Sequence, residues 1–480
     1  MEPTLTKDFW LLLARAIFFT ASHSFMVIGL LLAIVPLFSY FLFAGGNLIS
    51  RIIQGGIRSV GWLFFLLPGV SWALLYLKFQ SVFSILPDGF WAIVMVHFSM
   101  NFFLLVSLFV EDLKESMRSE ARETLEASLV FNLDVFAKFR SIWWPRMHSF
   151  FFSWLPVIFL WCFSSFSVVL ILSMNPRQVS PEIMLFQSLL MGHDGPRVWV
   201  LLAFQIVLGV VVAVPVFFRN KKNKTAQLTH DSIHLNFLFK QMGPLYKKLS
   251  LSAHILIVLI LGFFVSFLFR AVGFSYPRNE LFLQALQNSL LLGFLTALFS
   301  LFLAVILSAI TSKYRNYFLC FAGISPTLVF YLFLRTSLSD LSLMNPKFEI
   351  TFIALGLTLV NLALYSRWIG ERLDILSNDL KEAASLIGMG RLAFLIKIEL
   401  SFLKPIIARI ALYSFLIALG DLSFSMLIAD KAILLAPLAR MSVQRYDFSL
   451  GPALIWIGVL ATLFYFLSIK MFSLMGRFKK

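Results

Sequence analysis

Apolar runs long enough to cross a lipid bilayer recur along the whole 480-residue chain. A membrane-spanning helix needs about 20 consecutive, mostly apolar residues. Eleven stretches meet this need, at about 24–44, 60–78, 88–110, 150–173, 197–219, 251–271, 284–310, 319–336, 348–367, 405–429 and 451–471. Because the bilayer core offers no water to backbone polar groups, spans of this length must be helices. The sequence therefore predicts an all-α polytopic membrane protein with eleven or twelve transmembrane helices.

Composition excludes the soluble classes of protein. The chain is 60% hydrophobic and only 13% charged, whereas soluble domains have about 25% charged residues. The net charge is +16, and 27 of the 40 Lys and Arg lie in six loops, at 45–59, 111–149, 219–250, 311–318, 367–404 and 470–480. Positive loops of membrane proteins stay in the cytoplasm, so the charge predicts no nucleic-acid partner. The C-terminus is then cytoplasmic and the N-terminus is outside, with residues 9–22 forming an interfacial helix or half a span.

A short motif in the loop 367–404 is the most specific signal in the chain. Its spacing is Glu-Ala-Ala, three residues, Gly, nine residues, Ile, one residue, Leu, with a proline five residues later. The matching residues are Glu382, Ala383, Ala384, Gly388, Ile398, Leu400 and Pro405. Small alanines allow close approach to a partner, and glycine permits a tight turn. A proline is tolerated in the first turn of a helix, so Pro405 is expected to open the next span.

The loop 111–149 carries a degenerate copy of this motif, 256 residues earlier. The residues at the corresponding offsets are Glu126, Ala127, Ser128, Asn132, Ile142 and Trp144, and Pro145 follows directly, where the second copy has Ser401. Asn132 stands where the second copy has Gly388, and asparagine tolerates the left-handed backbone region better than most residues. A lone Glu-Ala-Ala is ordinary helix composition. Two copies at matched spacing, both on the predicted cytoplasmic side, indicate a shared role for the two loops.

The repeated motif resembles the EAA loop of binding-protein-dependent ABC importer permeases, although Ser401 replaces a proline of the family pattern. The resemblance implies a permease of the type I, EAA-loop kind whose two loops, around 122–134 and 378–390, each dock on a separate ATPase subunit. It further implies two ATPase copies that hold ATP and Mg²⁺, a periplasmic substrate-binding protein, and location in the bacterial inner membrane. The chain itself is then no enzyme and binds no cofactor or metal.

The similarity extends to the stretches 162–189 and 419–438, which look like the fused two-half permeases of thiamine importers and, more loosely, of ferric-iron importers. The resemblance implies a first half at 1–220 with its loop motif at about 119–147. A basic cytoplasmic linker follows at 221–250. The second half covers 251–480, with its motif at about 374–405. Thiamine or its phosphates are the preferred cargo, and ferric iron is the second choice.

A few polar residues fall within or beside the apolar runs. Asp421 follows Gly420 near the end of a span, and an intramembrane carboxylate is a default functional suspect. It could attract a cationic cargo along the pathway, or it could have a structural role, by pairing with a neighbouring helix or by capping a break in the helix. His97 and Asn101 lie one turn apart and are expected to bond neighbouring helices rather than a ligand.

Two other classes of protein compete with the permease. A secondary transporter also shows internal repeats, but it needs polar coupling-ion sites at the membrane midplane, and the sequence has few. A membrane enzyme needs a catalytic motif, and neither H-E-x-x-H nor G-x-S-x-G occurs. G-x-x-x-x-G-K-[ST] is also absent, so any ATP hydrolysis must come from another polypeptide.

Overall fold

The structure is a computed structural model that describes most of the predicted spans. It covers residues 6–43, 69–119, 144–173, 178–190, 196–220, 244–272, 280–310, 345–374, 383–429, 431–444 and 452–460, apart from Ser385, with a few isolated positions. Helices make up 90% of it, and no strand occurs in these ranges. The prediction of an all-α architecture is therefore confirmed.

In the described ranges, eight α-helices precede residue 270. They are α1 (Lys7–Phe43), α2 (Gly69–Val82), α3 (Phe90–Ser119), α4 (Trp144–Phe163), α5 (Phe166–Leu172), α6 (Pro181–Leu190), α7 (Pro196–Asn220) and α8 (Pro244–Phe267). The later helices are α9 (Glu280–Ala309), α10 (Pro346–Val360), α11 (Leu362–Asp374), α12 (Arg391–Phe394), α13 (Leu400–Gly420), α14 (Ser423–Ile428) and α15 (Leu435–Gln444). Residues 452–460 form a further helix, α16.

Several of these helices are long and apolar enough to cross a membrane. Five described segments qualify alone, namely Lys7–Ser39, Phe90–Val110, Lys247–Arg270, Glu280–Ala309 and Leu395–Gly420. Two bent pairs, α4 with α5 and α10 with α11, raise the number to seven. The chain is thus a multi-pass membrane protein. The count of eleven stays a prediction, because spans such as 319–336 lie outside the described residues.

Four predicted segments differ from the structure. Residues 9–22 are neither a separate interfacial helix nor a half-span, since α1 runs unbroken from Lys7 to Phe43. The predicted spans 150–173, 348–367 and 405–429 are each broken into two helices. Apolar composition alone does not show such breaks, because hydropathy averages over a window and the residues at the break, Ser164–Ser165 and Asp421–Leu422, are few.

The helices pack as two similar groups. In the first, α1 lies against α3 and α4, and in the second, α9 lies against α10, α11 and α13. The two groups touch where α2 meets α13 and α15, and where α1 meets α8. Their contact belongs to one continuous apolar core that includes Trp72 from α2 and Ala436 from α15.

Helix boundaries repeat at the spacing of the sequence motif. Helices α3 and α10 begin 256 residues apart, at Phe90 and Pro346, and α4 and α13 begin 256 apart, at Trp144 and Leu400. The short helices α5 and α14 end 256 apart, at Leu172 and Ile428. Helix α7 begins at Pro196, and the residue 256 positions later, Pro452, is also helical. This agreement favours the predicted division into two halves, which itself stays a prediction.

A buried hydroxyl network lies beside the 51° bend between α10 and α11. The Tyr365 hydroxyl is 2.5 Å from Ser414 Oγ on α13 and 3.1 Å from Ser300 Oγ on α9. Ser300 is also 3.5 Å from Thr358 on α10. Because unpaired polar groups are costly inside an apolar bundle, such a network fixes how these helices meet.

Close approach of α9 and α13 depends on Gly293. A Cβ at this position would lie 2.8 Å from Phe415 Cδ2 and 3.3 Å from the Phe415 carbonyl oxygen. We expect Gly293→Ala to destabilise the protein by about 1–3 kcal/mol, the usual cost of overpacking. Gly262→Ala is the matched control, because no heavy atom lies within 4 Å of its added Cβ. Thermal unfolding in detergent should show a lower midpoint for the first variant only, and equal midpoints would contradict the packing argument.

Candidate functional site

The second motif copy folds into a tight turn that ends at Gly388. The Ile387 N–H donates to the Ala383 carbonyl at 3.2 Å, and the Met389 N–H donates to the Ala384 carbonyl at 3.0 Å. Gly388 has a φ of +71°, in the left-handed region that glycine adopts at little cost. This pattern is a Schellman motif, in which a left-handed glycine ends a helical turn. The motif glycine is thus explained by backbone geometry.

The turn is anchored on the helix that follows it. Ala384 is buried and packs against Phe394 of α12, with Met389, Ile398 and Phe402 half-buried around them. A larger side chain at position 384 would push the turn away from α12, which accounts for the small residue there. The turn is thus in direct apolar contact with the helical segment that leads into α13.

Two large apolar side chains project from this anchored turn into the open. Leu386 is 87% exposed and Ile387 is 75% exposed. Exposed apolar residues rimmed by polar ones mark a surface that contacts either another protein or the membrane. Sequence reasoning named Ala383, which is exposed, and Gly388, but it missed this pair. An apolar pair directly before a helix-ending glycine was the available signal, and Val130 and Phe131 stand at the same places before Asn132 in the first copy.

The end of the second motif lies within one continuous helical run. A π-helical turn at Leu395–Glu399, which contains Ile398, joins α12 to α13, and Leu400 is the first residue of α13. Arg140, 256 residues before Ile396 of this turn, is π-helical as well. Pro405 lies inside α13. The expectation that Pro405 opens the span is therefore wrong, because the helix has already begun on the anchored segment before it.

The first motif copy is described only at its end. Trp144 is the first residue of α4 and is half exposed, and Pro145 follows it in the first turn, where its missing N–H leaves no bond unmade. The remaining predicted residues lie outside the described ones, namely Glu126, Ala127, Ser128, Asn132, Ile142 and Glu382. Their roles stay predictions.

Asp421 caps the short helix that follows the break in the predicted span. Its Oδ2 accepts the Ser425 N–H at 2.9 Å and the Ser425 hydroxyl at 3.2 Å, and its Oδ1 accepts the Ser423 hydroxyl at 3.3 Å. The side chain is half-buried. These bonds satisfy amides at the start of α14 that have no partner within the helix. Of the two roles considered for Asp421, capping is the one that the geometry accounts for.

Substitution of Asp421 separates these two roles. We expect Asp421→Asn to keep both stability and transport, because the amide oxygen still accepts the Ser425 N–H. Asp421→Ala should lower stability by about 1 kcal/mol, as loss of an N-cap does. Thermal unfolding and uptake assays on the two variants test this. Normal stability with lost transport in the Asp421→Asn variant would assign the negative charge to the cargo pathway instead.

A second buried polar cluster joins α1, α3 and α4. The rings of His23 and His97 stack with centroids 5.5 Å apart, and a ring nitrogen of His23 is 3.1 Å from the Cys162 carbonyl. Asn101 donates to the His97 carbonyl on its own helix at 2.8 Å. Asn101 also donates to Cys162 Sγ of α4 at 4.0 Å, which is an interhelical bond as expected, whereas His97 contacts α1 through its ring, stacked on His23. In the described part of the chain, no three His, Cys, Asp or Glu side chains are grouped to hold a metal ion.

Comparison with known proteins adds no relative. No protein-family model, no curated protein and no solved structure matches the chain.

Proposed function

We propose that this chain is the membrane-spanning permease of an ATP-driven ABC importer, with two permease halves fused in one polypeptide. The single observation that carries the proposal is the turn at 383–389. It presents Leu386 and Ile387 outward while Ala384 fixes it to the helix leading into α13. A turn that is both exposed and rigidly attached to a span suits the transfer of motion from a soluble partner to the membrane helices.

The 256-residue repeat favours a partner that acts on both halves. Helix starts and short helices recur at this spacing, and so does the loop motif. A pair of identical ATPase subunits would meet two equivalent turns, one in each half. The inner membrane, the periplasmic binding protein that delivers cargo, and ATP with Mg²⁺ on the ATPase all belong to this proposal.

Thiamine or its phosphates are the preferred cargo, and ferric iron is the alternative. Both rest on the resemblance of residues 162–189 and 419–438 to those permeases. A secondary transporter is the competing class. It accounts less well for an exposed apolar turn, because such a carrier needs no soluble ATPase to cover that surface.

Purification of the tagged full chain from its host membranes tests the class of transporter. We expect a separate polypeptide with ATPase activity to co-purify, at two copies for each permease chain. Uptake of labelled thiamine and of ferric iron, in cells with and without the gene, then tests the cargo. A chain that purifies alone and transports without ATP would contradict the proposal and favour the secondary transporter.

A further inference from the structure

Three polar side chains from two helices bond to residues 431–435 of the segment 429–435, which joins α14 to α15 and is described except at position 430. Glu349 of α10 accepts the Lys431 N–H at 3.1 Å and the Ala432 N–H at 2.9 Å. Two neighbouring side chains on α9 form hydrogen bonds to residues that follow in the segment. Asn288 donates to the Ile433 carbonyl at 3.0 Å, and Ser289 accepts the Leu435 N–H at 2.9 Å. These hydrogen bonds all go to backbone groups of the segment, so they do not depend on the identity of its side chains.

We call Glu349, Asn288 and Ser289 the clamp. Glu349 is its strongest member. Its side chain is only 1% exposed, and hydrogen bonds from amides to an ionised carboxylate are stronger than neutral ones. Helix α10 places it there with Asn345, whose side chain accepts the Lys347 N–H, and with Pro346 at the first helical position. A buried carboxylate bound to two amides 82 and 83 residues away joins segments that are distant in sequence.

The clamp lies at the far end of the helices from the turn at 383–389. Glu349 is in the first turn of α10, and the α10–α11 pair ends at Asp374, before that turn. Helix α13 has 21 residues, which is about 30 Å at 1.5 Å per residue, and its far end leads through α14 to segment 429–435. The α10–α11 pair therefore links the clamp to the loop that carries the turn.

The clamped segment also reaches the other half of the molecule. Helix α15, which follows it directly, packs against α2 as well as α9. Leu435 and Ala436 at its start belong to the same apolar core as Trp72 of α2. A displacement of α10 that carried the segment with it would thus be felt at the contact between the two groups of helices.

We propose that Glu349 is a positioning residue for transport, which ties segment 429–435 to α10 so that this segment moves with the turn at 383–389. The role rests on the proposed function, since it supposes that an ATPase drives that turn. The clamp then couples the ATPase side of the protein to its opposite face, where cargo enters. The carboxylate acts through the two amides and need not touch the cargo.

Thiol labelling of the purified complex tests the coupling. Lys431→Cys, made with Cys162 and Cys320 replaced by alanine, places a reporter at an exposed position without altering the clamped backbone. Its rate of reaction with a maleimide is compared in the nucleotide-free complex and in the complex trapped with ATP and vanadate. The substitution that tests the role of Glu349 is Glu349→Gln, which removes the charge and one acceptor oxygen. Glu280→Gln, at an exposed glutamate in the first turn of α9, is the matched control.

We expect the labelling rate in the parent complex to differ between the two nucleotide states. Glu349→Gln should remove this difference and raise the nucleotide-free rate by about tenfold, because its NH2 group cannot accept and replaces one of the two oxygens bonded to the Lys431 N–H. Glu280→Gln should change neither result. Ser289→Ala, which removes one neutral bond, should give a smaller effect and covers the case in which Glu349→Gln does not fold.

Two results would overturn the inference in different ways. A complex that contains the ATPase and keeps its nucleotide-dependent labelling in both the Glu349→Gln and Ser289→Ala variants would refute the coupling role alone. A chain that purifies without any ATPase would refute the proposed function, and the coupling role with it.

Discussion

Replacing Ile387 with glutamate is expected to abolish ATP-driven uptake and to release the ATPase subunit, while the chain stays folded in the membrane. Ile387 is 75% exposed, and surface substitutions of this kind usually change stability by less than about 0.5 kcal/mol. In the assembled transporter the same side chain would be covered by the partner. Burying an unpaired carboxylate there costs several kcal/mol, which corresponds to a loss of affinity of at least about 100-fold.

The ratio of ATPase to permease after purification measures this effect directly, and uptake measures its consequence. Ile387→Val keeps an apolar side chain of similar shape and should retain both partner and uptake. Gln444→Glu adds the same charge at an exposed position at the end of α15 and should also be silent. If the Ile387→Glu variant purified with a full complement of ATPase and transported normally, the turn would not be the docking surface.

The membrane class of this protein could be predicted from sequence because it depends on an average property. Long apolar runs need only composition and length to be recognised, and helices such as α9 fall where the run 284–310 predicted. Breaks within a run depend instead on single polar groups. Asp421 ends α13 because its carboxylate bonds to Ser425 at the start of the next helix, and hydropathy does not contain that information.

Sequence analysis predicted the residues that shape the turn of the candidate site, but not the side chains that the turn exposes. The spacing of the motif identified Gly388, which has the left-handed backbone that ends the turn, and Ala384, which is buried against Phe394. Leu386 and Ile387 were missed because only the positions that shape the turn belong to the motif. Which intervening side chains face outward depends on how the turn packs on α12, and spacing alone does not reveal this.

The clamp on segment 429–435 could likewise not be predicted from the sequence. Glu349 bonds to amides 82 and 83 residues away, and no local pattern announces a contact at such a separation. Glu349 bonds to backbone groups, so the side chains of the segment give no indication of this contact. A glutamate in the first turn of a helix is ordinary by sequence, since a negative charge is favourable there in any case.

Replacing Gly388 with valine is expected to lower uptake by about tenfold or more without loss of the protein from the membrane. The φ of +71° at this position costs a side-chain-bearing residue about 1–2 kcal/mol, and β-branching makes the region less accessible still. The turn should avoid this cost by rearranging, which breaks the bond from Met389 to Ala384. Leu386 and Ile387 would then no longer face the partner together.

A graded series at the same position separates backbone strain from crowding. No heavy atom lies within 4 Å of a Cβ built on Gly388, so the first side-chain atom meets no neighbour and the backbone conformation is expected to decide the effect. Gly388→Asn should keep most of the uptake, because asparagine adopts the left-handed region and also ends helices. Gly388→Ala should fall between asparagine and valine. A contrary result would be uptake that follows side-chain volume instead of this order. It would mean that the surface around the glycine is itself in contact with the partner. It would also mean that the turn tolerates a change of backbone conformation.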